Sequence, residues 1–124
     1  MNTWNVAGSN FSFYYDSSLS RFSPNTISFF MSATMTPLNA AQCTNYVYPN
    51  GSTNYSVIDF NVNSAWATNG ANGYRDVETV ALHELGHAAG ISHSSNSNDL
   101  MWGGVLPVRR SLTINDKNAL KRLY

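Results

Sequence analysis

Cysteine occurs once in this chain, at Cys43, so no internal disulfide can form and the fold must rest on packing or on metal. No CxxC or related pattern surrounds it; it reads as a small half-buried strand residue, the alternative being a reactive thiol. Charge is scarce as well, at 11% of residues, with seven basic side chains cancelling seven acidic ones. That balance leaves no basic face for nucleic acid or an anionic membrane. No apolar run approaches the roughly 18 residues of a membrane span. The start, Met1-Asn2-Thr3-Trp4-Asn5, has none of the positive residues, apolar stretch or cleavage site of a secretory signal.

What is present suits one compact domain spanning residues 1–124, since the hydrophobic fraction is 43% and aromatics make up 13%. Asn, Ser and Thr account for 41 of the 124 residues, so solubility comes from neutral hydrogen-bonding groups, a style more common in exported proteins. Asn-x-Ser/Thr triplets begin at Asn10, Asn50 and Asn54, and matter only in a eukaryotic secretory pathway.

Phe11–Tyr15 and Ile27–Met31 are short aromatic and β-branched runs and read as strands, with Pro24-Asn25 a turn between them. Gln42–Tyr48 and Tyr55–Asn61 read as an antiparallel hairpin closed around Asn50-Gly51. After the loop Asn69–Gly73 the period lengthens to that of a helix. Val77, Val80, Ala81 and Ala88 share one face, Asp76 is a candidate N-cap, and Gly90 supplies the stop. Thr113-Ile114-Asn115-Asp116 is a capping box, followed by Leu120, Leu123 and Tyr124 on one face of a second helix. The order strands, helix, irregular segment, helix indicates an α+β fold, or α/β if the strands run mostly parallel.

The informative stretch is His83-Glu84-Leu85-Gly86-His87 within the first of these helices. Side chains at i and i+4 project from the same face, so two imidazoles can converge on one zinc ion. Glu84 sits one residue round, within reach of a water on that ion without being a ligand. Gly90 lets the chain turn back, and His93 follows as the third ligand. These five fixed positions have a chance frequency on the order of 10⁻⁷ per window. The three histidines they contain are the only ones in the chain, which leaves little room for the ordinary reading of a lone hydrogen-bonded His.

HExxHxxGxxH is the metzincin signature, and the chain resembles the matrixins within that group. Ser94 follows the third histidine, and Asp99-Leu100-Met101-Trp102 is similar to the matrixin Ala-Leu-Met-Tyr turn, in register. Ile58-Asp59-Phe60-Asn61 with Trp66 resembles the last strand before the active-site helix, and Leu112–Asp116 with Leu123-Tyr124 resembles the C-terminal helix. The likeness covers about three quarters of the chain. It implies a small twisted mixed sheet packed on the active-site helix, then a Met-turn at Met101 and a closing helix.

Several positions depart from the family pattern. The strand and long helix with which matrixin catalytic domains begin are missing before Trp4, so Phe11–Tyr15 is expected to pair with Ile27–Met31, or the chain is a trimmed catalytic piece. Asp59 stands where a ligand of a second, structural zinc falls, and Asn61 and Asn63 stand where carboxylates hold calcium, which weakens the case for either ion. Gly103-Gly104-Val105 replaces Pro-x-Tyr after the turn, and Asn115 replaces the first of two adjacent acids. A cysteine-switch propeptide is not expected from these residues.

The resemblance implies an extracellular, monomeric zinc endopeptidase with one catalytic ion held by His83, His87 and His93. A water at the open fourth position would lose its proton to Glu84 and attack the scissile carbonyl. Gly90 and Met101 support the site. An extended protein or peptide substrate would add to an edge strand through Gln42, Cys43 and Thr44, and Thr79 would shape the S1′ pocket. The competing class is a non-catalytic or inactive zinc-binding fragment.

Overall fold

The computed structural model describes residues 2–5, 8–20, 22–105 and 107–124. In chain order they form α1 (Asn2–Asn5), β1 (Ile27–Ser32), β2 (Ala41–Val47), β3 (Thr53–Asn61), β4 (Trp66–Ala67), β5 (Arg75–Asp76), α2 (Val77–Ala88) and α3 (Ile114–Leu123). The three longer strands make one mixed sheet in the order β1-β3-β2, with β1 parallel and β2 antiparallel to the central β3. The architecture is therefore α+β, and β2 is an edge strand.

The β2–β3 hairpin forms as its residues predict. Gly51 takes φ +85 in the tight loop, where Tyr48 N–H donates to the Ser52 carbonyl at 2.9 Å. Asn50 Oδ1 accepts both the N–H and the hydroxyl of Ser52. A shift of register between Tyr46 and Val47 ends the regular pairing.

Phe11–Tyr15 is not a strand, and β1 pairs with β3 instead. The Asn5 side chain holds the Phe13 backbone, accepting its N–H at 2.7 Å and donating to its carbonyl at 2.6 Å. A side chain thus satisfies polar groups that a ladder would otherwise take. Phe11 stacks edge-on with Phe13 and against Tyr124, so the run packs on the far end of the chain.

The core lies between the sheet and α2, with Ile58 and Phe60 of β3 facing Leu82 and Leu85, and Leu100, Met101 and Leu120 closing it from the other side. Burying each such side chain contributes about 1.5–3 kcal/mol. Because α2 is covered from several sides, Thr79, Val80, Leu82–Gly86 and Ala88 are all buried, whereas Val77 and Ala81 are only half-buried. The single apolar stripe read from the sequence is thus too narrow. On α3 only Leu120 of the expected face is buried; Leu123 and Tyr124 are about half exposed, at 52% and 51%.

Asn61 fixes the long β1–β2 connection. Its Nδ2 donates to the carbonyls of Thr36 and Asn39, and its Oδ1 accepts from Asn63 N–H. Trp66 Nε1 donates to its backbone carbonyl.

Candidate metal centre

Both ends of α2 are closed by hydrogen bonds that also shape the site, from a side chain at the start and from the backbone at the end. At the start, Asp76 Oδ2 accepts from the Thr79 N–H and hydroxyl at 3.0 and 2.7 Å, capping the orphan donors of the first turn. At the end, Gly90 takes φ +86, Gly90 N–H donates to the His87 carbonyl and Ile91 N–H to the Gly86 carbonyl. This is the paired Schellman arrangement, which requires a residue that tolerates the left-handed conformation. It folds the chain back so that the Ile91 carbonyl meets His87 Nδ1 at 2.7 Å.

His83 Nδ1 lies 2.7 Å from the Leu100 carbonyl. A ring nitrogen facing a carbonyl oxygen carries the proton, so both helical imidazoles are fixed with an Nε2 lone pair directed inward. The His83–His87, His87–His93 and His83–His93 Nε2 separations are 3.1, 3.0 and 3.2 Å. Burial holds both helical histidines below their ordinary pKa, His83 down to about 4, despite the opposing pull of their carbonyl partners. Across the His83–His87 pair, two neutral rings with facing lone pairs cannot satisfy one another by hydrogen bonding. A cation can, and tetrahedral zinc at about 2.0–2.1 Å from each ligand separates its nitrogens by roughly 3.3–3.4 Å. The trio is thus close to the spacing zinc needs, and no Cys, Asp or Glu ligand atom among the described residues joins it.

Exposed His93 is placed by the segment after it. Ser94 N–H donates to the Met101 carbonyl at 2.7 Å, and Ser94 Oγ to Asp99 Oδ2 at 2.6 Å. Asp99 is buried and also accepts from the Thr113 hydroxyl and the Asn115 amide. Asp116 takes the Leu100 and Met101 N–H groups at 3.0 and 3.1 Å while completing its own capping box with Thr113. Two buried carboxylates therefore hold the 99–101 turn that supplies the Leu100 carbonyl. A Cβ at Gly103 would lie 3.0 Å from the His93 ring, which explains a small residue there.

Glu84 is 6% exposed and lines, with the three histidines, a cleft of about 1240 Å³. Burial pushes its carboxyl up to about 7, against the opposing pull of the Cys43 backbone N–H. A cation among the histidines would draw that value down again. Burial and the Glu84 charge push the Cys43 thiol up to about 12, leaving it a neutral half-buried strand residue.

Of the expected substrate-side residues, Gln42 and Cys43 line the cleft, whereas Thr44 is not among its lining residues. Thr79 lies in the wall but is 1% exposed, and its hydroxyl is engaged by Asp76 and the Arg109 N–H. Sequence reasoning missed the Leu100 and Ile91 carbonyls, Asp99, and Asn45. The Asn45 amide donates to the His87 carbonyl at 2.8 Å and accepts from the Ser56 hydroxyl. Only Asp99, an acid inside an otherwise neutral turn, left a mark in the sequence.

Three curated relatives are similar to the chain over part of its length. Karilysin of Tannerella forsythia is 35% identical over 79 residues, 64% of this chain and 16% of karilysin. Metalloendoproteinase 1 of Glycine max is 35% identical over 51 residues, 40% of this chain and 17% of that protein. Metalloendoproteinase 1-MMP of Arabidopsis thaliana is 37% identical over 51 residues, 40% of this chain and 14% of that protein. The chain thus spans less than a fifth of the length of these relatives in the matched regions. The matrixin family profile matches residues 26–124, from the start of the sheet through the histidine site to the last helix, and the chain belongs to that family.

Proposed function

We propose that this chain is a zinc-dependent endopeptidase that hydrolyses extended protein or peptide substrates. The observation that carries the reading is the convergence of three Nε2 atoms beside a buried carboxyl in one open cleft. Matrixins are metallopeptidases at the family level, and zinc is the ion the family implies. His83, His87 and His93 would hold it. Bound there, zinc supplies Lewis-acid polarisation of the scissile carbonyl and acidifies water at its open position.

The remaining work falls to the chain itself. Glu84 is the general base, taking the proton of the attacking water and returning it to the leaving nitrogen. Its burial makes that carboxyl readier to accept a proton than an exposed one. The β2 edge receives the substrate backbone through Gln42, Cys43 and Thr44 as an added strand. Thr79 shapes the S1′ wall from behind through its bonds to Asp76 and Arg109. Gly90 makes the turn that delivers His93, and Met101 forms the buried base of a Met-turn. The protein acts outside the cell, as one domain over residues 1–124, and as a monomer.

Digestion of an unstructured protein, with and without a zinc chelator and with Glu84→Ala, tests this reading. Chelation should abolish cleavage, and Glu84→Ala should slow it by about 10²–10⁴-fold. Metal analysis should give one zinc per chain. Equal cleavage by the Glu84→Ala protein would remove the general-base assignment, and zinc binding without any cleavage would favour a non-catalytic module.

A further inference from the structure

The two walls of the cleft run side by side in the same direction. Arg75 Nη2 donates to the Leu38 carbonyl at 3.2 Å, the Cys43 N–H acts on the Glu84 carboxyl, and the Asn45 amide donates to the His87 carbonyl at 2.8 Å. Positions 38, 43 and 45 thus meet 75, 84 and 87 in order. Arg75 lies in β5, two residues before α2 and eight before His83: about 9 Å of helical rise from Val77 plus up to about 7 Å of strand. An extended peptide covers that distance in about four to five residues of about 3.3 Å each.

Arg75 is half-buried in the cleft wall, and among the described residues no carboxylate lies in ion-pair distance of it. Its neighbour Asp76 is already held by Arg110 at 2.6 Å. Leu38, Asn39 and Tyr74, which line the same end, carry no charge. The guanidinium has five N–H donors in a planar fork that matches a carboxylate, and the Leu38 carbonyl steadies it through one nitrogen.

We propose that Arg75 is a specificity-determining residue, pairing with an acidic side chain of the substrate about four residues from the cleaved bond, toward Leu38. This deepens the peptidase reading and rests on it. An open cleft screens the pair, so the selectivity is modest, about two- to fivefold.

The test is binding rather than turnover. Extended peptides that differ by Glu or Gln at one position, walked along their length, are titrated against zinc-loaded Glu84→Ala protein by fluorescence polarisation. One position should prefer Glu about two- to fivefold, less at high salt. Adding Arg75→Gln should bring that ratio to one, and Arg75→Lys should keep part of it. If Arg75 only pins the Leu38 carbonyl, the substitution weakens Glu and Gln peptides alike and the ratio stands. That result, no position preferring Glu, or no peptide binding at all overturns the proposal. Absence of cleavage by the unaltered chain speaks instead against the peptidase reading, and leaves this ratio measurable.

Discussion

A Cβ added at Gly86 would strike Met101 Sδ, and would lie 2.8 Å from the Trp4 ring and 2.9 Å from Met101 Cε. Trp4 is fully buried and its indole N–H donates to the Leu82 carbonyl at 2.9 Å, so the ring cannot simply swing aside. Gly86→Ala should therefore destabilise the fold by about 1–3 kcal/mol through overpacking, although alanine is the better helix former by about 1 kcal/mol. Thermal melts in a chelator would measure this without any metal contribution; an unchanged or higher melting temperature would contradict it. Asn61 offers a second case. Asn61→Asp keeps the shape but turns the two-donor end toward the Thr36 and Asn39 carbonyls into an acceptor. A loss of about 1–3 kcal/mol at neutral pH is expected in denaturant titrations. The sequence suggested only that Asn61 lacks the charge a calcium ion would want; its role as a clamp depends on carbonyls more than twenty residues away, which no local pattern announces.

At the scale of elements, α2 and the β2–β3 hairpin were legible because their signals are local. Asp76 and Gly90 mark the ends of α2, and Asn50-Gly51 closes the hairpin. Phe11–Tyr15 has the composition of a strand, but its polar backbone is held by Asn5 and its rings by Tyr124, so long-range contacts override propensity. The start of α2 also carries a testable pH dependence. Arg110 beside Asp76, with the Thr79 bonds, holds the Asp76 carboxyl well below the usual carboxylate range. A depressed folded-state pKa means that the unfolded chain takes up the proton first. The stabilisation is therefore fully present above about pH 4, the ordinary Asp value, and is lost as pH falls toward the folded value. Asp76→Asn should lower stability at pH 6, and the gap from the unaltered chain should shrink on acidification toward pH 3. A gap that stays constant across that range would show that the charge contributes nothing.

For the whole molecule, the histidine trio would link a bound metal to stability. It draws His83 and His87 from α2 and His93 from the segment beyond it, while the Leu100 carbonyl ties His83 to the turn held by α3. An ion bound only by the folded chain stabilises it by about 4 kcal/mol at a thousand times its dissociation constant. For a domain of this size that corresponds to roughly ten degrees or more in melting temperature. Calorimetry with and without chelator should show such a drop in the unaltered chain and little change in His93→Ala. The spacing of the three histidines made the trio itself readable in the sequence. The carbonyls that aim them were not, because a carbonyl has no residue identity, and Asp116 was legible only as a capping residue, not as the holder of the Leu100 and Met101 N–H groups.

One further consequence follows from the two staples across the cleft, Arg75 to Leu38 at one end and Asn45 to His87 at the other. A slot bolted at both ends has a set width, and on the proposed peptidase reading it would take a single thread of polypeptide rather than a folded body. Compact targets would then be nicked first in slack tails and loosely tethered linkers, while their tightly wound interiors stay out of reach until something else unravels them.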